Sequence, residues 1–243
     1  MKQLYISTLK NLLIATLLTA ALFGVMLALK VDLVFDKILF FSILATISGV
    51  CYILTIRNPQ NYVGFYFGIA SSVCLGVQFA LLNNFDLTFL YFLVFIPFQI
   101  SAIRSWQKKS VQHAENEVFM PKFLTLKNQI IFLLIFIAII IIDYVFASFY
   151  LSSYKNEPFF NNFAIKTVFA IMISSSILAN FLMIGKWLDT WIFWIIYSAA
   201  AIISAIIIKN NFNLLLFTFF LIINTISFVS WLKIKHTNKL SES

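Results

Sequence analysis

Trp187, Trp191, Trp194 and Tyr197 fall three or four residues apart, so on an α-helix their rings line one flank. Such a ladder is a platform on which a ligand can be held. The plain alternative is an interfacial belt, since Trp and Tyr rings are amphipathic and collect at membrane surfaces. Trp187 stands beside Lys186 and suits the belt. Trp194 and Tyr197 run deeper and are the stronger ligand contacts, with Trp191 between them in sequence.

Three amides join the rings as candidates. Gln99, Asn180 and Asn224 each lie well inside an apolar run, and each offers donors and an acceptor. In hydrocarbon a polar side chain must find a partner, so these three either brace neighbouring helices or line a wet cavity. Ser71, Ser72, Ser174, Ser175, Ser176, Thr46 and Ser48 read as close-packing residues.

Other chemistry is hard to build from this chain. Asp143 and Asp189 each lack a second acid or a histidine at working distance on their helix, which disfavours a proton relay and coupled active transport. There is no HExxH, no GxSxG with partners, no paired aspartates and no phosphate-cradling glycine loop, so the chain reads as no enzyme. His113 and His236 are too far apart to make a metal site, and Cys51 and Cys74 sit in apolar runs as small hydrophobes. No metal or cofactor is expected.

These candidates must be positioned by membrane helices. The 243 residues are 62% hydrophobic and only 11% charged, with 29 phenylalanines, and no soluble domain could hide that much apolar surface. Long unbroken apolar runs pair their backbone internally only as helices, so the fold class is an all-α integral membrane protein. At about 20 residues per crossing, eight spans are predicted, over residues 11–29, 38–56, 61–82, 86–106, 128–150, 163–184, 188–208 and 212–232. The first run is too long for the apolar region of a signal peptide. An even number of spans returns the termini to one side, and most of the 17 Lys and Arg residues lie on that side, so both termini are expected to be cytoplasmic. The net charge of +8 is explained by these span-end cations, and a nucleic-acid partner is not expected.

Internal repetition organises the spans. Asn83-Asn84-Phe85 before span four matches Asn210-Asn211-Phe212 before span eight, and that register sets Phe67 opposite Trp194 and Ser71 opposite Ser198. Near the span ends, with two residues dropped, Gln99, Ser105 and Trp106 match Asn224, Ser230 and Trp231. Spans two to four and six to eight therefore read as two parallel three-helix repeats joined by one helix, with an extra helix ahead of them. The expected division is 1–37 for the N-terminal helix and loop and 38–106 for the first bundle. Then come 107–160 for the cytoplasmic loop and connecting helix, 161–235 for the second bundle and 236–243 for a cytoplasmic tail. Pro97 offers a local hinge in span four.

Two segments carry a resemblance to a known family. Asp189-Thr190-Trp191-Ile192-Phe193-Trp194, followed by Lys209, and Tyr91-Phe92-Leu93-Val94-Phe95-Ile96-Pro97-Phe98-Gln99, continuing to Trp106, are similar to motifs of the PnuC family of bacterial vitamin transporters. Together with the repeats, the likeness covers roughly residues 38–235. Ala102 stands where the family's pattern has a glycine, and Ser198 where many members have an acid.

The resemblance implies a SWEET-like 3+1+3 fold in the bacterial inner membrane, with the substrate held between the two bundles. It implies facilitated diffusion of nicotinamide riboside, drawn inward by later phosphorylation by a cytoplasmic kinase, and a homo-oligomer such as a trimer. A pyridinium ring would be drawn to the faces of Trp191, Trp194 and Tyr197 by cation–π attraction. Gln99, Asn180 and Asn224 would bond the ribose or the carboxamide. Thiamine, riboflavin or a nucleoside are the rival cargoes, and a non-transporting membrane scaffold is the rival of another class.

Overall fold

A computed structural model describes residues 2–28, 36–81, 85–112, 121–150, 163–207 and 211–241. Within them the chain is helical: α1 (Lys2–Ala28), α2 (Lys37–Ile56), α3 (Gly64–Leu81), α4 (Phe85–Phe89), α5 (Ile96–Gln112), α6 (Leu126–Tyr150), α7 (Phe163–Ile184), α8 (Asp189–Ile207) and α9 (Asn211–Ser241). Eight spans among the described residues are long and apolar enough to cross a membrane, as the sequence predicts. The first begins at Leu4 rather than at 11, because the helix continues through Thr8, Lys10 and Asn11, whose polarity hides it in the sequence. Asn83, Asn84, His113, Lys209 and Asn210 lie outside the described residues, as do residues 151–162 and the side chains of Asn211, Phe212 and His236.

Local chemistry explains where the helices start and turn. Asp36 caps α2, its carboxylate accepting the Leu39 N–H at 2.8 Å. The elbow from Arg57 to Val63 closes on its own asparagines: Asn61 N–H donates to the Asn58 carbonyl at 2.9 Å, and Val63 N–H to Asn61 Oδ1 at 3.1 Å. α4 and α5 are continuous through a π-helical segment, Leu90–Phe95, in which the Ile96 N–H reaches back to the Tyr91 carbonyl. Pro97 explains the wide turn. Its ring excludes the carbonyl of Leu93 from its usual place and it donates no hydrogen bond, so the helix widens instead of breaking.

Most hydroxyls inside the spans bond their own helix. Thr46, Ser174 and Ser175 donate to the carbonyls of Ser42, Ala170 and Ile171, at 2.6 to 2.8 Å. Ser71 crosses instead to the Ala45 carbonyl at 3.0 Å, tying α3 to α2. Glycine allows the same helices to touch: a Cβ on Gly64 would stand 2.7 Å from Ile56 Cγ2.

The chain forms two compact units. The first comprises Met1–Pro121, Met183–Lys186 and Val229–Ser243. There α1 is held by two polar bonds, Asn61 Nδ2 to Thr8 Oγ1 and Asn11 Nδ2 to Thr55 Oγ1, both at 3.2 Å. Two buried indoles tie α5 and α9 to the ends of two other helices. Trp106 on α5 donates to the Met183 carbonyl at the end of α7, at 3.0 Å, and Trp231 on α9 donates to the Arg57 carbonyl just past α2, at 2.9 Å. Both acceptors are carbonyls at helix ends, where the regular i to i+4 bond is lost; the Met183 carbonyl also accepts the Lys186 N–H at 3.1 Å. The rings lie 6.2 Å apart, Phe65 meets Trp106 edge-on, and the buried Lys186 sets Nζ 4.5 Å over the Trp106 ring. Lys186 adopts φ 58°, the left-handed conformation that commonly ends a helix.

The second unit comprises Lys122–Leu182 and Trp187–Phe228. α6 is its least buried span, touching its neighbours through Phe132 on Phe181 and Phe136 on Phe193. Thr125 starts α6, its carbonyl accepting the Gln129 N–H at 2.9 Å. The extended residues ahead of it pair with the turn before α8, through the bridge between Lys122 and Trp187.

Candidate functional site

The aromatic helix α8 is clamped to each of its neighbours in the second unit. At its first turn Asp189 Oδ2 accepts the Leu124 N–H at 2.8 Å and Oδ1 accepts Gln129 Nε2 at 2.9 Å, fixing it to α6 and the residues ahead of α6. Thr190 Oγ1 donates to the Ala179 carbonyl of α7 at 2.6 Å. Further along, Asn224 of α9 donates Nδ2 to the Ser198 hydroxyl at 3.0 Å and toward the Trp194 carbonyl at 3.3 Å. Ser198 in turn donates to the Trp194 carbonyl at 2.9 Å. A helix held by two partners at its first turn and by a third further along presents its side chains in one fixed orientation.

That orientation sorts the ladder. Trp191 is 0% exposed and serves the interior of the unit. Trp194 and Tyr197 are half-buried and meet edge-to-face with centroids 5.6 Å apart, and Tyr197 continues edge-on to Phe217 at 5.9 Å. Trp187 is half-buried under Lys122, whose Nζ stands 4.8 Å from the ring centroid. The ladder thus divides into a cation-covered end, a buried middle and a partly open ring pair.

The amides divide too. Asn224 is 1% exposed, and its Oδ1 has no hydrogen-bond partner among the described residues. Its orientation is set by chemistry, because a carbonyl such as that of Trp194 can only accept and must face the NH2 end. Asn180 donates Nδ2 to the Ser176 carbonyl of its own helix at 2.9 Å. Gln99 belongs to the first unit, is 4% exposed, and donates Nε2 to Ser72 Oγ at 3.2 Å. Its Oε1 likewise has no partner among the described residues. Gln99 lies flat on Gly68, where an added Cβ would come within 3.0 Å of the amide carbon.

The structure therefore brings Trp194, Tyr197 and Asn224 together in one unit, gives Asn180 to its own helix and Trp191 to the interior, and sets Gln99 in the other unit with a matching serine. That serine is Ser72; its neighbour Ser71 is engaged with α2. Sequence reasoning passed over Gly68, Thr190 and Gln129. Gly68 had a signal, being one of only 6 glycines and four residues after Gly64 on the same helix. Thr190 and Gln129 had none, since each bonds a group remote in sequence.

Lys186 and Asp189 are the charged side chains buried among the described residues; the first lies over Trp106, and the second is bonded through both oxygens. No group of three His, Cys, Asp or Glu side chains able to hold a metal ion occurs among the described residues.

Known proteins share this architecture. One solved structure, described as the crystal structure of the vitamin B3 transporter PnuC, superposes with a TM-score of 0.61 at 18% identity, covering 93% of this chain and 91% of that one. At that identity the likeness is one of fold. A comparison with curated proteins gives no match. The family model described as nicotinamide mononucleotide transporter matches residues 39–233, from the start of α2 to the end of the last span and across every residue of the site. A multi-pass helical protein matched over that length belongs to the nicotinamide mononucleotide transporter family, a family of membrane transporters and not of enzymes.

Proposed function

We propose that this protein carries nicotinamide riboside across the bacterial inner membrane by facilitated diffusion, with both termini in the cytoplasm. The observation that carries the reading is the half-buried Trp194–Tyr197 pair on the helix to which Asn224 is bonded, with the buried Asn224 Oδ1 left without a partner among the described residues. A pyridinium over such rings gains about 0.5 to 2 kcal/mol per contact. The amide oxygen asks for a donor, which a ribose hydroxyl or a carboxamide N–H supplies. Gln99 offers a second acceptor of the same kind. Trp191, Asn180 and Trp187 are assigned to the protein's interior, to their own helix and to Lys122 rather than to the cargo.

The family's name speaks of the mononucleotide, and the vitamin B3 transporter it resembles in fold carries a broader description. We favour the nucleoside because the two charges buried among the described residues are engaged elsewhere. Lys186 lies over Trp106, and a phosphate beside Trp194 would find an amide oxygen instead of a cation. Passive movement fits Asp189, whose carboxylate is bonded at both oxygens and is poorly placed to relay a proton. Phosphorylation inside the cell would then supply the inward pull.

The fold reads as two parallel three-helix repeats, α2 to α5 and α7 to α9, with α6 joining them and α1 outside. The support is chemical. Gln99 with Ser72 is matched by Asn224 with Ser198, and Trp106 with the Met183 carbonyl by Trp231 with the Arg57 carbonyl. This pairing sets Gly68 opposite Trp194, one residue on from Phe67.

Uptake into proteoliposomes tests the function. Nicotinamide riboside should enter down its gradient without an ion gradient, and Trp194→Ala should abolish uptake while the protein stays folded. Thiamine and riboflavin serve as competitors: stronger competition by either would move the cargo assignment, and no uptake of any vitamin would favour a scaffold.

A further inference from the structure

Asp189 is the acid of the aromatic motif, yet it does not face the rings. It is 4% exposed and accepts two hydrogen bonds from the residues around the start of α6, the Leu124 N–H at 2.8 Å and Gln129 Nε2 at 2.9 Å. Two further contacts and the burial of two leucines mark the same place. Leu188 N–H donates to the Lys122 carbonyl at 3.0 Å, Lys122 covers the Trp187 ring, and Leu124 and Leu188 are both buried. Residues 122–124 thus lie like a short strand beside residues 187–189. Leu124 precedes α6, so its N–H has no helical carbonyl to meet, and the carboxylate supplies the missing acceptor.

We propose that Asp189 is a positioning residue for transport: it locks the connection ahead of α6 onto the start of α8 and thereby sets where Trp194 and Tyr197 stand. Its charge neither moves a proton nor touches the cargo. The inference rests on the reading of that ring pair as the ligand contact. α8 is one unbroken helix from Asp189 onward, so a shift at its first residue is carried to Trp194 little more than one turn away. What the site requires at 189 is two hydrogen-bonding atoms at a fixed place. An asparagine supplies them: its Oδ1 accepts the Leu124 N–H, and its Nδ2 donates to Gln129 once that amide turns over. An alanine supplies neither.

The experiment uses the full chain in lipid nanodiscs as wild type, Asp189→Asn, Asp189→Ala and Gln129→Leu. Two readouts are taken, the rate of trypsin cleavage after the exposed Lys122, located by mass spectrometry, and the affinity for nicotinamide riboside. Asp189→Asn should match wild type in both. Asp189→Ala should be cut several times faster and bind about tenfold more weakly, with Gln129→Leu between them because one bond remains. The proposal is overturned if Asp189→Asn is as damaged as Asp189→Ala, since the charge would then matter. It is equally overturned if Asp189→Ala resists trypsin like wild type, or is cut faster with affinity unchanged. If wild type fails to bind nicotinamide riboside, the ligand reading falls, while the cleavage rates still decide whether Asp189 holds the connection.

Discussion

Two buried amides in this molecule solve the same problem with opposite volumes. In the first unit Gln99 is long and lies on Gly68, a residue with no side chain; in the second Asn224 is short and reaches the backbone carbonyl of Trp194, one of the largest residues available. Each donates to a serine on the adjoining helix, Ser72 or Ser198, and each leaves a buried oxygen without a partner among the described residues. The difference teaches that the polar device and the space around it are separable. In the first unit the glycine is covered by the amide itself, and in the second the corresponding position carries an indole.

The comparison breaks most severely at the amides themselves. Asn224→Leu removes the donor to Ser198 and the one turned to the Trp194 carbonyl, so it should disturb the ring helix as well as delete an acceptor. Gln99→Leu removes one bond to a hydroxyl that can rotate to another partner. Each net hydrogen bond contributes about 0.5–1.5 kcal/mol, so Asn224→Leu should weaken nicotinamide riboside binding roughly tenfold or more, and Gln99→Leu by less. Isothermal titration of both variants checks the order. Equal losses would mean that Asn224 acts as an acceptor alone and positions nothing.

A subtler change sharpens the volume half of the comparison. Gly68→Ala places a methyl against the Gln99 amide at 3.0 to 3.1 Å, so the amide must move by a few tenths of an ångström and strain its bond to Ser72. Alanine gains up to about 1 kcal/mol of helix propensity over glycine, which offsets much of the usual overpacking cost of about 1–3 kcal/mol. Thermal stability should therefore change little while uptake falls. A variant that transports normally would show that the exact placing of the Gln99 amide does not matter to uptake. A variant that also melts far below wild type would show that Gln99 cannot yield.

How much of this was legible depends on whether the cause is local. The spans follow from runs of apolar residues, and the structure reproduces them closely except at the first, where Lys10 and Asn11 interrupt the run without interrupting the helix. The ring ladder and the buried amides stand out because a polar or bulky group in an apolar run is conspicuous. Their division of labour does not, since Trp191 and Trp194 look alike in sequence and differ only in which way α8 is turned. That rotation is set by Asp189, Thr190 and Ser198, which bond Leu124, Ala179 and Asn224, each on a different neighbour. A spacing argument sees one helix at a time. It also places the repeat only to within the residues dropped between its copies, so Ser71 and Ser72 could not be told apart until Gln99 was seen to bond the second.

The matched tryptophans were legible as a pair, but not what they hold, and they carry the smallest of the expected effects. Trp106→Phe and Trp231→Phe each keep a ring and lose one indole N–H, leaving the carbonyl of Met183 or Arg57 without that donor. Measured interhelical hydrogen bonds in membranes average about 0.6 kcal/mol and reach about 1.7, so each variant should lower unfolding stability by about that amount. The two are not expected to be equal. Lys186 sits over Trp106, and phenylalanine attracts a cation less strongly than tryptophan does, so Trp106→Phe should cost a few tenths of a kcal/mol more. With ring centroids 6.2 Å apart the double variant should also deviate from additivity, because neighbouring rings repack together. Denaturant unfolding of the two singles and the double in mixed micelles measures all three quantities. A larger loss at Trp231 than at Trp106 would show that the cation over Trp106 contributes nothing, and that the two indoles differ only through the helix ends they cap.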